Sequence, residues 1–530
     1  MAHRPLYRNP PANPHTTFLL LLLLPLLTPT LAAKNFIFFQ PDEMRAESVG
    51  AYNNTFTKTP NFDKFANQGT RFNQAHTSHT VCSQSRVAFV TGWPTHVAGH
   101  RSLWSLLHST EPNLFKYFKK YDYQVHWWGK NDMMADDSWN TSVTTAREMK
   151  GINNGPNTYN LEDPEYYSML TDPTQGSVNQ TQDYNNVFEA INFLKSYNSD
   201  TDDPFFIFLP LLNPHPPYSV PEPFYSLIDP ETINPLRPTD NDGSHPDYHS
   251  LIRQYRNLTS LDDAFWKKLH AVYLGSIAFS DFLFGELMTA LDDTGLADDT
   301  VVTVFSDHGD YAGDYGLVEK WPSGLEDVLT RVPLIIRAPG GVANNVHEEQ
   351  VQLFDIVPTM LEFAGIEAQH IHFGVSLHDN VMKGEAGDPD RAVFAEGGYG
   401  TNEPRDFEGD SSNGGIPAID TDYYPKVLQE QEHPLSVCRS IMVRTLSWKL
   451  IMRTDVTKEE HDGELYNLKD DPREITNLYY SDDADVQAMK ATLKDKIFFW
   501  LFQTSDVTRW DEDDRNGENF PWPPENNQEL

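Results

Sequence analysis

The stretch Thr300–Gly309 (TVVTVFSDHG) sets the reading of the fold: six apolar or β-branched residues in a row, then Ser306, Asp307, His308 and Gly309. An unbroken run of this kind, without alternation, is the pattern of a strand buried on both faces. The design recurs along the chain. Asn35–Phe39 (NFIFF) runs into Gln40, Pro41, Asp42 and Glu43, Pro204–Leu212 (PFFIFLPLL) runs into Asn213, Pro214 and His215, and Val332–Ile336 (VPLII) is a fourth run. Between these runs, periodicity predicts helices over residues 59–68, 113–120, 185–197 and 265–291. Buried strands alternating with helices predict an α/β fold: a large central, mostly parallel sheet flanked by helices.

Beyond residue 400 the pattern changes. Residues 439–453 read as a hairpin of antiparallel strands, residues 484–502 as a helix, and residues 511–530 as an acidic, proline-containing tail. The expected organisation is a main domain over residues 34–400 and a smaller α+β domain with an antiparallel sheet over residues 401–530. Residues 218–248 are rich in Pro and Asp and read as a surface excursion that shapes an entrance.

Composition narrows the function. The 530 residues carry 40 Lys and Arg against 77 Asp and Glu, a formal net charge of −37. Such a surface repels phosphate backbones, which speaks against nucleic-acid partners, although a local basic pocket can still bind an anion. Only two cysteines are present, Cys82 and Cys438, so no disulfide framework holds the fold. Arg4 and Arg8 precede the apolar run Phe18–Leu27 (FLLLLLLPLL), and Ala32 and Ala33 close the segment. This is the pattern of a signal peptide over residues 1–33, interrupted by Pro25 and Pro29 and too short for a membrane span. No later stretch reads as a span, so a chain free of the membrane after cleavage is expected. Sequons at Asn53, Asn140, Asn179 and Asn257 fit a glycoprotein that is secreted or held in an endomembrane or vacuolar lumen.

Function in an open α/β sheet collects beyond the carboxyl ends of the strands. Asp42, His215, and Asp307 with His308 each stand there. Singly, each is an ordinary turn or cap residue. Together they suit a hard divalent cation such as Ca²⁺ or Mg²⁺, and no Cys/His spacing suggests structural zinc.

The sharpest local motif is Thr80–Gly92 (TVCSQSRVAFVTG). Its Cys82, Arg86, Thr91 and Gly92 resemble the signature of the type I sulfatases of the alkaline-phosphatase-like superfamily, with Gln84 where that family has Pro or Ala. The resemblance extends in order along the chain. Asp42–Arg45 (DEMR) is similar to the first metal segment, Thr59–His76 to the helix and strand before the nucleophile, and Tyr123–Asp132 (YQVHWWGKND) to the second signature. Ser306–Gly309 with Lys320 is similar to the third metal segment and its lysine, and Leu353–Ile366 and Gly463–Tyr479 to late segments of these enzymes.

The resemblance implies a sulfuric ester hydrolase in which a dedicated formylglycine-generating enzyme oxidises Cys82 to formylglycine (3-oxoalanine). It implies Asp42, Asp307, His308 and residue 82 as ligands of a divalent cation, Ca²⁺ first and Mg²⁺ or Mn²⁺ next, with Glu43 at the adjacent position. Arg86 then supports the hydrate of residue 82, while Lys130, His215 and Lys320 face the sulfate and the leaving group. An aldehyde hydrate offers one hydroxyl to attack and a second to expel the product, which a thiol does not. Asp132 stands where many sulfatases place a His, and its acidic side chain is expected to point away from sulfate or to bind a substrate cation. The expected substrate is a small-molecule or carbohydrate sulfate ester, with the charge of −37 favouring small or exposed ones. Two alternatives stand beside it: a phosphodiesterase or phosphonate monoester hydrolase on the same residues, and an inactive secreted binding protein if Gln84 blocks the modification.

Overall fold

The computed structural model describes residues 34–239, 245–400, 403, 417–456 and 462–507. The signal segment expected at residues 1–33 and the acidic tail beyond 507 lie outside them. Eight strands make the main sheet: β1 (Asn35–Gln40), β2 (Thr70–His76), β3 (Gln124–Trp128), β4 (Thr145–Arg147), β5 (Phe205–Pro210), β6 (Thr300–Phe305), β7 (Leu334–Arg337) and β8 (Asn345–Gln352). Their order is β4-β3-β5-β1-β6-β7-β2-β8. All pairs are parallel except the two that β7 makes with β6 and β2. The expected fold class is what the chain adopts.

The sheet is dry on both faces, as the unbroken apolar runs require. Ile37, Phe39, Ile207 and Val304 point into one core, and Phe36, Phe38, Phe206 and Phe305 into the other, all with no exposed surface. Phe38 meets Phe206 and Phe305 edge-on at 4.8 and 5.2 Å between centroids, so β5, β1 and β6 are locked by aromatic contact as well as by their ladders.

The helix Asp263–Asp293 packs on the Ile37 side. Its composition and its 31 residues would suffice to span a bilayer, contrary to the expectation that no later stretch does, yet 72% of that apolar window is buried in the protein. Apolar periodicity on both sides of a core helix gives it a membrane-like composition. Asp281 on this helix caps α1 (Pro60–Ala66), accepting hydrogen bonds from the amides of Asn61 at 3.2 Å and Phe62 at 2.6 Å. Burial pushes its carboxyl up to about 7.

A second, antiparallel sheet has the order β12-β11-β10-β9, built from β9 (Val393–Gly397), β10 (Ser440–Arg444), β11 (Trp448–Arg453) and β12 (Gly463–Asn467). β10 and β11 are the expected hairpin, while β9 lies before residue 400. The helix Ala484–Gln503 covers this sheet with Leu493, Ile497 and Trp500. Asn53, Asn140, Asn179 and Asn257 are all exposed.

Asp281→Ala is expected to lower stability by about 1–3 kcal/mol, because it strands two buried amide donors. Asp281→Asn, which keeps one carbonyl acceptor, is expected to lose less. Thermal unfolding of the two variants checks both.

Candidate active site

β5, β1 and β6 are adjacent and parallel, so their carboxyl ends open along one rim. Asp42 and Glu43 follow β1, His215 follows β5, and Asp307 and His308 follow β6. α2 (Cys82–Thr91) starts at the same rim with Cys82 as its first residue, and Gly92 in the left-handed region (φ 75°) ends it. Lys130 comes just after β3, and Lys320 from the loop between β6 and β7. Glu43 is itself left-handed (φ 66°), a costly conformation for a residue with a side chain. The site holds it there: Asp307 Oδ1 accepts from its amide at 3.2 Å, and Tyr273 donates its hydroxyl to its carbonyl at 2.6 Å.

Arg86 lies one helical turn beyond Cys82 and is fully buried. Its Nη2 donates to Asp42 Oδ2 at 2.9 Å and its Nε to Asp307 Oδ2 at 2.8 Å. Cys82 Sγ sits 3.7 Å from Asp42 Oδ1, 3.2 Å from His308 Nε2 and 3.8 Å from Lys130 Nζ. Lys130 Nζ also meets Asp42 Oδ2 at 2.7 Å. Opposite, Lys320 Nζ donates to Glu43 Oε1 at 2.6 Å and lies 3.1 Å from His215 Nε2. Every candidate catalytic and metal-binding residue therefore converges on one pocket. Asp132 turns onto Lys130, at 2.8 Å from Nζ, so its charge is spent on that lysine.

The electrostatics follow from burial. Burial opposes ionisation of Asp42, but the Lys130 and Arg86 charges prevail and hold its carboxyl well below the usual range. Glu43 goes the other way: burial raises it, and Lys320 offsets only part. Burial first, and the Asp42 charge next, push the Cys82 thiol well up, so an unmodified residue 82 is a protonated thiol and a poor nucleophile. Burial, then Lys320 and Lys130, hold His215 well below the usual imidazole value. Its Nδ1 faces the Pro216 carbonyl at 2.6 Å, which fixes the proton on Nδ1 and leaves Nε2 to accept from Lys320.

Two site residues escaped the sequence reading. Asp310 receives the Tyr218 hydroxyl at 2.7 Å and raises the Glu43 carboxyl. Glu319 gathers Lys320, Arg256 and Lys426 at 3.2, 3.0 and 3.1 Å. Their only sequence signal was adjacency, Asp310 to the Ser306–Gly309 motif and Glu319 to Lys320.

The donor set fits a divalent cation. Asp42, Glu43, Cys82 and His308 bring one ligand atom each to within 4.8 Å of one another. His308 Nδ1 faces the Gly309 carbonyl at 2.9 Å, which directs the Nε2 lone pair inward, and the buried Glu43 carboxyl lies against that of Asp310. Asp307 stands beside this group, with Oδ2 3.9 Å from His308 Nε2 and Oδ1 occupied by the amides of Glu43 and His308. Beside two carboxylates and one imidazole, the thiol of residue 82 is the one soft atom.

Comparison with known proteins agrees with this geometry. The family model for sulfatases matches residues 34–366, more than half of the chain. An arylsulfatase of Clostridium perfringens is 27% identical over 397 residues, covering 65% of this chain and 78% of its own. Human iduronate 2-sulfatase is 28% identical over 345 residues, covering 59% and 61%. Among solved structures, the phosphonate monoester hydrolase of Agrobacterium radiobacter superposes with a TM-score of 0.69 at 21% identity, covering 89% of this chain and 96% of its own. BT4656, solved with its substrate D-glucosamine-2-N,6-O-disulfate, superposes at 0.68 and 20% identity over 89% and 98%. These last two likenesses speak to the fold. Carried by the match over residues 34–366, the chain belongs to the sulfatase family.

Proposed function

We propose that this chain is a sulfuric ester hydrolase that cleaves sulfate esters to an alcohol and inorganic sulfate, with residue 82 acting as formylglycine. The observation that carries the reading is the environment of Cys82: first residue of α2, buried, and faced at once by Asp42, His308 and Lys130. Family membership supports it. A thiol held protonated in this pocket is idle, whereas an aldehyde hydrate there supplies a hydroxyl that attacks and a second that releases sulfate. An oxygen at residue 82 also makes every ligand atom but His308 Nε2 a hard oxygen, which suits Ca²⁺, with Mg²⁺ or Mn²⁺ as alternatives. The bound cation supplies charge stabilisation for the ionised nucleophile and polarises a sulfate oxygen.

The chain's own residues divide the remaining work. Arg86 fixes Asp42 and Asp307 in place. Lys130 puts positive charge beside residue 82 and offsets the charge of the transferring group. His215 rests neutral against the Lys320 ammonium, so the pair keeps one proton on Lys320 Nζ for delivery to the leaving oxygen. In this reading Lys320 is the proton donor, and His215 accepts its hydrogen bond through Nε2 and orients it.

Gln84 bears on maturation by a formylglycine-generating enzyme. Its side chain is buried and its Nε2 donates to the Arg101 carbonyl at 3.1 Å, so in the folded protein it serves the backbone behind the site. The enzyme must therefore meet residues 80–86 before folding is complete. The signal pattern at residues 1–33 and the four exposed sequons support a secretory route.

A phosphonate monoester hydrolase is the second reading, favoured by the superposition with that enzyme. Parallel rates on the sulfate monoester, phosphate diester and phosphonate monoester of one phenol separate the two. We expect kcat/KM to be highest on the sulfate ester; a higher value on the diester or phosphonate overturns the assignment.

Lys130→Ala and Lys320→Ala are each expected to lower kcat/KM by about 10²–10³, as removal of one preorganised charge-stabilising donor does. Lys320→Ala should also lower Tm clearly, because it leaves Glu43 buried without its 2.6 Å partner. Lys130, with 18% of its side chain exposed, should lose rate with a smaller change in Tm. Steady-state kinetics and thermal melts check both variants.

A further inference from the structure

His215 reaches the pocket on the loop Leu211–Pro217 (LLNPHPP), and the prolines at 214, 216 and 217 strip that loop of three amide donors. Four amides remain, and the structure accounts for each. Just past β5, the Leu211 amide donates to the Gln40 carbonyl at 2.9 Å, and the His215 amide turns back to the Leu212 carbonyl at 2.9 Å. The other two, of Leu212 and Asn213, are taken by a single carboxylate: Asp183 accepts them on Oδ1 and Oδ2 at 2.9 and 2.8 Å. Oδ2 also accepts from the Asn213 side-chain Nδ2 at 2.8 Å, while Asn213 Oδ1 accepts the Ser276 hydroxyl at 3.0 Å.

Asp183 is the second residue of the helix Gln182–Ser196, and only 1% of it is exposed. Its own helix does not use the carboxylate: Thr181 caps the helix start by accepting the Tyr184 amide at 3.3 Å. Burial raises the Asp183 carboxyl, and what opposes burial is the loop itself, through the Asn213 and Leu212 amides and the Asn213 side chain. Hydrogen bonds to a charged acceptor are the strong ones, so a buried carboxylate holding three of them is a rigid anchor. The path from this anchor to the site is short. Asp183 fixes Leu212, the Leu212 carbonyl fixes the His215 amide, and His215 Nε2 lies 3.1 Å from Lys320 Nζ and 3.2 Å from Glu43 Oε1.

We propose that Asp183 is the positioning residue for proton delivery to the leaving oxygen: by clamping the loop after β5 it sets where His215 stands, and through His215 the direction in which Lys320 Nζ points. The inference rests on the sulfatase reading and deepens it, placing control of leaving-group departure in a carboxylate behind the pocket. In that step the S–O bond to the alcohol breaks, its electron pair passes to the leaving oxygen, and that oxygen takes a proton from Lys320 Nζ, which water restores afterwards. A basic leaving oxygen needs this proton, whereas 4-nitrophenolate departs with little help. A misdirected Lys320 therefore costs most on the basic leaving group, while a simple loss of folded protein costs all esters alike.

The test compares Asp183→Asn with the wild type, both as full-length, natively matured protein, on phenyl sulfate and 4-nitrophenyl sulfate. Asparagine keeps the size of the side chain but sets an NH₂ group against the loop's donors. We expect kcat on phenyl sulfate to fall about tenfold further than kcat on 4-nitrophenyl sulfate, with each KM changed by no more than about threefold. The extra loss on phenyl sulfate is expected to vanish when Asp183→Asn is made in a His215→Ala background, because the two residues act on one path. Equal losses on the two esters, or an extra loss that persists without His215, overturn the proposal. Should Asp183→Asn not fold, Asn213→Ala removes one of the three hydrogen bonds and carries the same comparison: a bias against phenyl sulfate upholds the proposal, and a uniform loss overturns it. If the wild type cleaves neither ester, the sulfatase reading fails, and hydrogen exchange then decides on the clamp separately. Slow exchange at the Leu212 and Asn213 amides that turns fast in Asp183→Asn upholds it; exchange unchanged by the substitution overturns it.

Discussion

The structure turns on one buried guanidinium. Arg86 joins the loop after β1 to the loop after β6 by donating to Asp42 and Asp307, and it does so from one turn into the helix that begins at residue 82. All three side chains are shielded from solvent. In such a place an ion pair is held by geometry: both acceptors are fixed by strand ends, and the planar fork of arginine meets them together, which a lysine does not reproduce. Removing one partner would leave an uncompensated buried charge at a cost of about 3–5 kcal/mol. The same contact thus closes the fold and sets the distance between residue 82 and the carboxylates that face a cation.

Around this contact the pocket is a balance of opposite charges in a dry place. Asp42, Glu43 and Asp307 face Arg86, Lys130 and Lys320 within hydrogen-bonding distance. Outer groups steady the inner ones: Asp132 on Lys130, Glu319 on Lys320, Asp310 and Tyr218 behind Glu43. A cation entering this set meets a Glu43 whose carboxyl is raised by burial and by the neighbouring Asp310 and Asp42 charges, so the pocket has room for more positive charge. The pocket is therefore suited to a doubly charged cation and to a singly charged sulfate ester together, with Lys130 and Lys320 placed to meet the latter.

Much of this was legible in the sequence, for physical reasons. The apolar runs of β1, β5 and β6 have no alternation because both faces of the sheet are covered, and a parallel sheet forces their following residues, Asp42, His215 and Asp307, to one rim. Cys82 and Arg86 were readable from a four-residue spacing on a helix, and the hairpin Ser440–Arg453 from its two short strands. What escaped was set by long-range packing. Nothing in the sequence placed Asp310 or Glu319 around the lysine–carboxylate pairs, turned Asp132 onto Lys130, or buried the helix Asp263–Asp293 whose composition resembles a membrane span. The neutral state of His215 likewise depends on burial first and then on Lys320, which arrives from a loop 105 residues away.

The account stands on the chemical state of residue 82. Mass spectrometry of the tryptic peptide spanning residues 72–86, from protein purified from its native source and shown to be active, reads that state directly. The account predicts an aldehyde, or its hydrate, in place of the thiol at residue 82. An intact thiol in every molecule of an active preparation would contradict it.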